Sequence, residues 1–136
     1  MFLLDTNVLS ELRKPKPHGA VMAWILSQSP EEVQIPAVVI GEIQAGVERA
    51  RKADPAKAAE IEIWLEELCA SRTIIAPTEQ VFRIWGRLIF DRPSNLFADA
   101  LIAATAIHHG LTVATRSTRD FEQFGVLVTN PFTTRR

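Results

Sequence analysis

The chain carries a single cysteine, Cys69, among its 136 residues, so it can form no internal disulfide, and a reducing cytoplasm is its expected compartment. It has no run approaching the roughly 18 consecutive apolar residues of a membrane span, and no charged start followed by an apolar stretch of the kind that marks a secretory leader. Met1-Phe2-Leu3-Leu4 is too short for either and reads as a buried strand. Charge of one sign is also lacking: 15 Lys and Arg stand against 16 Asp and Glu, a net charge of −1. An RNA-binding surface is expected to be basic. The balance therefore leaves two options open, a protein with no nucleic-acid partner or one whose basic surface is offset by acids gathered elsewhere. The three histidines, His18, His108 and His109, lack zinc spacing. Internal repeats, low-complexity stretches and linkers are absent. What is present is apolar material, 47% of the residues, enough for a full core and against disorder. One domain over residues 1–136 is expected.

Short apolar runs alternate with helical patterns from end to end. Strands are expected at residues 2–4, 32–35, 73–75, 111–115 and 126–128, and helices at 8–12, 19–27, 36–52, 56–70, 79–90 and 96–109. Pro36 is suited to open a helix, and Gly110 to close one. Residues 92–95 break the pattern, and residues 115–121 read as a polar loop. The runs are apolar without in–out alternation, which indicates a parallel sheet covered on both faces. In such sheets ligands bind beyond the carboxyl ends of the strands. The residues of interest are those just after strands and on the first turns of the following helices.

Four acids occupy such places. Asp5 ends the first strand, where a carboxylate projects into the crevice or simply caps the next helix. Glu42 lies about 60° from Val39 on a helical wheel, whereas Glu48 lies about 180° from it. Glu42 is thus expected to point toward the apolar side, where a carboxylate needs a cation, either a metal or a salt-bridge partner. Asp99 shares its helix face with Ile102, Ala103 and Ala106, although an acid in a first turn also suits the helix dipole. Asp120 follows the fourth strand, and alone it is an ordinary loop or cap acid. Carboxylates converging on one crevice raise one another's pKa unless a cation is present. Oxygen-only ligands suit Mg²⁺ or Mn²⁺ better than zinc. Such a site activates water and offsets charge on a phosphate, which points to phosphodiester hydrolysis.

Asp5-Thr6-Asn7-Val8-Leu9-Ser10-Glu11, Ile40-Gly41-Glu42-Ile43, Asp99-Ala100-Leu101-Ile102-Ala103-Ala104-Thr105-Ala106 and Leu111-Thr112-Val113-Ala114-Thr115-Arg116, with a closing Asn130-Pro131-Phe132, resemble the motifs of the PIN-domain family. Within it the similarity is to the VapC and FitB type of toxin from bacterial toxin–antitoxin pairs. Each motif alone is weak; five in order, spanning nearly the whole chain, are specific. The resemblance implies a three-layer α/β/α sandwich with a short, mostly parallel central sheet. It implies a Mg²⁺- or Mn²⁺-dependent endoribonuclease acting on RNA, a homodimer, and a cognate antitoxin that blocks the site. It carries the family's first three acids onto Asp5, Glu42 and Asp99, and a hydroxyl that supports the first of them onto Thr6. At the fourth acid the chain departs from the pattern: many relatives have Asn or Asp where it has Ser117. The fourth carboxylate is then assigned to Asp120, with Thr115 and Ser117 as polar helpers, and the number of metal ions stays open.

Arg13, Lys14 and Lys16 follow the Asp5 turn, and Arg116 and Arg119 flank Asp120. They would grip RNA phosphates around an acidic centre, or form a solvated charged surface. Ile61, Trp64, Leu65 and Leu68, and likewise Val81, Ile84, Trp85 and Leu88, recur at helical spacing as core stripes with some spill into an interface. His108 and His109 are expected to engage the carbonyls ending their helix. A phosphatase with a nucleophilic Asp after the first strand needs a second Asp two residues on, where this chain has Asn7. A phosphoacceptor receiver needs paired acids near its first strand and a late Lys, and neither pattern is present. A DNA-cutting relative stays open, because a sequence does not show a 2′-OH preference. The non-enzymatic alternative is a catalytically weak scaffold that only binds RNA or antitoxin. Such a scaffold should have lost one of the first three acids; Ser117 is the residue that keeps it open.

Overall fold

Leu3 and Leu4 are adjacent on one strand and both fully buried, so the strand that carries them is covered on both faces. In the computed structural model, which describes residues 1–133, this strand is β1 (Phe2–Leu4) and forms the centre of the sheet. The Arg135-Arg136 tail, expected to be a frayed terminus, lies outside the described residues. After β1 the chain turns into α1 (Thr6–Leu9), continues as a 3₁₀ turn over Ser10–Arg13, and crosses back through α2 (Gly19–Leu26) to β2 (Val33–Pro36). The helices α3 (Ala37–Ala53) and α4 (Pro55–Ser71) form a hairpin that leads to β3 (Ile74–Ile75). A second hairpin, α5 (Glu79–Ile89) and α6 (Phe97–His109), precedes β4 (Thr112–Ala114), α7 (Thr118–Glu122) and β5 (Val128–Thr129).

All strand pairings are parallel, in the order β3-β2-β1-β4-β5. Phe2 lies opposite Val33 on one side and Thr112 on the other, and Val113 lies opposite Val128. Helices flank this sheet in three layers, so the expected α/β/α sandwich holds, with the sheet parallel throughout. The core is built from Leu3, Leu4, Ile35, Val33 and Val113 in the strands, and from Val8, Val39, Ile102 and Phe121 in the helices, all essentially inaccessible to solvent.

Local chemistry explains most boundaries. Asp54 caps α4 by accepting from Lys57 N at 3.1 Å, with Pro55 as its first residue. Gly110 closes α6 in the left-handed region at φ 66°, and Leu111 N–H donates to the Ala106 carbonyl. Gly110 N–H and Leu111 N–H take the Ala106 and Ile107 carbonyls, and the His108 and His109 rings pack edge to face against each other. Three expectations shift. Pro36 ends β2 and caps α3 rather than opening the helix. The last strand is Val128–Thr129, displaced from residues 126–128, because it is the register against Val113 and Ala114 that selects it. The stretch read as a polar loop contains α7, whose Phe121 is fully buried and pins it to the core.

Candidate active site

The strand order reverses between β1 and β4: β2 and β3 extend the sheet to one side of β1, and β4 and β5 to the other. Ligands of open parallel sheets bind at such a switch point, beyond the carboxyl ends of the strands. Asp5 follows β1 and Thr115 follows β4, one on each side of that crevice. Asp5 N–H donates to the Ala114 carbonyl at 3.0 Å and so extends the β1–β4 ladder by one residue. Asp5 therefore leaves the sheet at its top edge with its backbone fixed.

The Asp5 carboxylate is buried and satisfied on both oxygens. Oδ1 accepts from Thr6 N–H at 2.8 Å, which caps α1. Oδ2 accepts from the Thr115 hydroxyl at 2.7 Å and from the Asn7 amide at 3.3 Å. Capping and a crevice position, posed as alternatives from the sequence, are both realised by one side chain. Burial pushes the Asp5 pKa up; the Thr115 hydroxyl and Thr6 N–H pull it down, and nearby Asp120 adds repulsion.

Asp99 sits in the first turn of α6, half-buried on the face it shares with Ile102, Ala103 and Ala106, as expected. Its pKa is pushed up to about 6, first by burial and then by the charges of Asp5, Asp120 and Glu42. The charges of the other three acids thus all reach Asp99. Glu42 does not lie on the apolar side of its helix. The buried stripe of α3 is Val39, Ile43 and Val47, and Glu42 stands exposed beside it. Its placement comes from Thr6, whose hydroxyl donates to Glu42 Oε1 at 2.7 Å. Asp120 is exposed in the first turn of α7.

Asn7 was passed over in the sequence because it is not an acid, yet it is the hub of the crevice floor. Its amide donates to Asp5 Oδ2 and, at 3.3 Å, to Ser117 Oγ, while its Oδ1 accepts from Arg116 N–H at 3.1 Å. The Thr115 hydroxyl in turn accepts from Ser117 N–H at 2.9 Å. Thr115 and Ser117 thus join the β4–α7 loop to the β1–α1 turn. Glu11 is a second omission: it is buried, and its carboxylate accepts from Lys14 and from His18 N–H. Lys14 is engaged there in an ion pair with Glu11. The signal for both lay in their type and spacing: a bifunctional amide two residues after Asp5, and an acid on the buried side of a short helix.

The four acids and the hydroxyls of Thr6, Thr115 and Ser117 are oxygen donors, and none of the four acids is in an ion pair with Lys or Arg among the described residues. This chemistry fits a hard divalent cation. Among the described residues, no three His, Cys, Asp or Glu side chains stand close enough to hold an ion on their own. A small divalent ion that keeps several waters needs only one or two direct carboxylates. Clefts lie on both sides of the acids. One, of about 270 Å³, includes Thr6, Ser10, Arg13 and Glu42; the other, of about 280 Å³, is lined by Arg116, Ser117, Thr118, Arg119 and Asp120. A hollow of about 500 Å³ between α2 and residues 129–133 contains none of the four acids.

Fold and crevice together define an α/β protein with an acidic centre at the switch point of a parallel sheet. The chain belongs to the PIN-domain family, whose domain description matches residues 2–127. It is 37% identical to Toxin FitB of Neisseria gonorrhoeae, over 97% of this chain and 99% of that protein. It is 32% identical to VapC ribonuclease Y4jK of Sinorhizobium fredii, over 97% of this chain and 98% of the relative. Among solved structures, FitAB bound to an IR36 DNA fragment contains a chain that superposes with a TM-score of 0.79 at 34% identity, covering 100% of this chain and 99% of the other. No helix among the described residues is long and apolar enough to cross a membrane.

Proposed function

We propose that this protein is a metal-dependent endoribonuclease that hydrolyses RNA phosphodiester bonds as the toxin of a toxin–antitoxin pair. The observation that carries this reading is the buried Asp5 carboxylate fixed at the switch point of the sheet, with half-buried Asp99 near it, its pKa raised first by burial and then by the charges of Asp5, Asp120 and Glu42. Carboxylates that raise a neighbour's pKa with no protein cation beside them are costly. A bound divalent ion removes that cost. Relatives named as a VapC ribonuclease and a FitB toxin, matched along nearly their whole lengths, support the same reading.

Asp5, Glu42 and Asp99 would hold Mg²⁺ or Mn²⁺, one or two of them directly and the rest through water, and Asp120 would complete the shell or orient water. When bound, the ion supplies charge neutralisation at the phosphate and a more acidic water. The protein's own contribution is positional. Thr115 and Asn7 hold Asp5 in one rotamer, and Thr6 orients Glu42. Asp99, whose pKa is pushed up to about 6 with no cation present, would be held as a carboxylate by the bound ion. Arg13 on one flank and Arg116 and Arg119 on the other would take RNA phosphates, which reconciles nucleic-acid binding with a net charge of −1. A second copy of the chain, a cognate antitoxin, a cytoplasmic setting and a single domain over residues 1–136 belong to the same reading. FitAB, in one of the similar solved structures, is bound to a DNA fragment.

The test is cleavage of structured RNAs by the purified protein, free of antitoxin, with Mg²⁺, Mn²⁺ or chelator, beside Asp5→Asn. Metal-dependent cleavage lost in the variant supports the reading. Intact RNA, together with no metal binding by either protein, overturns it in favour of a binding scaffold.

A further inference from the structure

We propose that Arg116 anchors a preformed seat for an RNA phosphate next to the scissile one, and that Phe132 is the residue that positions it; this rests on the nuclease reading above. Arg116 directly follows Thr115, the hydroxyl that holds Asp5, so it stands at the rim of the crevice. Its backbone is fixed by donation to Asn7 Oδ1 at 3.1 Å. Its guanidinium lies over the Phe132 ring, with Cζ 3.8 Å from the centroid. Phe132 is itself held: its N–H donates to Asn130 Oδ1 at 3.0 Å, and the His18 ring packs edge-on against it at 5.1 Å. The closing Asn130-Pro131-Phe132 turn therefore acts as a platform under the arginine.

A guanidinium on an aromatic face spends its flat side on the ring and keeps its edge N–H groups for a ligand. Among the described residues the Arg116 side chain makes no ion pair and donates no hydrogen bond to the protein. Glu11, the acid whose charge it feels, uses its oxygens on Lys14 and His18 N–H. Arg116 lines the cleft of about 280 Å³ together with Ser117, Thr118, Arg119 and Asp120. Two guanidinium groups and two hydroxyls suit a phosphodiester, which accepts a bidentate arginine. Asp120, on the same cleft, joins this seat to the acidic centre. Stacking removes rotamer freedom before binding, so less entropy is lost when phosphate arrives.

The experiment compares wild type with Arg116→Gln, Phe132→Leu and Phe132→Trp, after thermal melts establish that each is folded. KM and kcat are measured on a cleaved RNA, and RNA affinity is measured against salt in an Asp5→Asn background. Arg116→Gln should raise KM about tenfold with kcat nearly unchanged, and flatten the salt dependence by about one unit of slope. Phe132→Leu should raise KM about threefold, and Phe132→Trp, which keeps a π face, should restore it. An Arg116→Gln protein with wild-type KM and salt slope overturns the seat while leaving the nuclease reading intact. If Trp fails to rescue what Leu loses, Phe132 is not the positioning residue. A wild type that neither binds nor cuts RNA brings down the nuclease reading and the seat with it.

Discussion

The Thr115 hydroxyl donates to Asp5 Oδ2 at 2.7 Å, joining residues 110 positions apart in the chain across the central pair of strands. This bond opposes the burial that raises the Asp5 pKa. Thr115→Val keeps shape and removes the donor. The Asp5 pKa should rise further, and the acid limb of the pH–rate profile for RNA cleavage should move to higher pH. Stability at neutral pH should fall by about 1–2 kcal/mol in denaturant unfolding. An unmoved acid limb would show that Thr115 does not govern Asp5.

Asp99 titrates near pH 6 in the fold against 3.8 for an ordinary Asp, so the folded state binds its proton more tightly than the unfolded chain. Below about pH 4 both states are protonated and the fold suffers no penalty from this group. The penalty grows as pH rises toward 6 and is complete above it. In chelator, Asp99→Asn should therefore be more stable than wild type at pH 7–8, by about 1–3 kcal/mol, with the gap closing toward pH 4. Mg²⁺ should raise the Tm of wild type more than that of the variant. Melting curves across pH, with and without metal, decide it.

Thr6 supports Glu42 through a single hydroxyl bond, and Glu42 is exposed. Thr6→Val should leave stability within about 0.5 kcal/mol of wild type, while cleavage falls about tenfold from the loosened carboxylate. Glu42→Gln should be the more severe of the two. Equal, large Tm losses in both would instead give Thr6 a structural role.

Glu11 is held as a carboxylate by Lys14 and His18 N–H, which lower its pKa below the ordinary value. Its folded pKa is depressed, so it stabilises the fold above about pH 4.5 and loses that contribution as pH falls below it. Glu11→Gln should cost about 1 kcal/mol at neutral pH, with the difference from wild type vanishing in acid. A pH-independent difference would assign the loss to packing.

The sheet and its site were legible where composition leaves one choice. Phe2-Leu3-Leu4 has no polar face and must be buried on both sides, and Asp5 then has to emerge at the strand's end. Gly110 ends α6 because no other residue takes its φ as easily. Legibility failed where tertiary contact decides. The stretch 126–128 is as apolar as a strand, but pairing against Val113 and Ala114 selects Val128–Thr129. α7 has only five residues, too few to show a period, and Phe121 reveals it only through burial. For Glu42 the wheel was sound and the conclusion was not, because a residue beside the Val39–Ile43–Val47 stripe can overhang the sheet's edge instead of facing the core. Asn7 was invisible because a search for carboxylates does not register the amide that holds one in place.

The strand order carries a consequence for biosynthesis. Thr115 and Asp120 are translated more than a hundred residues after Asp5, and β1 acquires its β4 neighbour only after β2, β3 and the two helical hairpins have been made. A nascent chain that ends before β4 carries three of the acids with no crevice to gather them. The crevice therefore cannot form on the growing chain before β4 has been made, whatever the helices around it have already done.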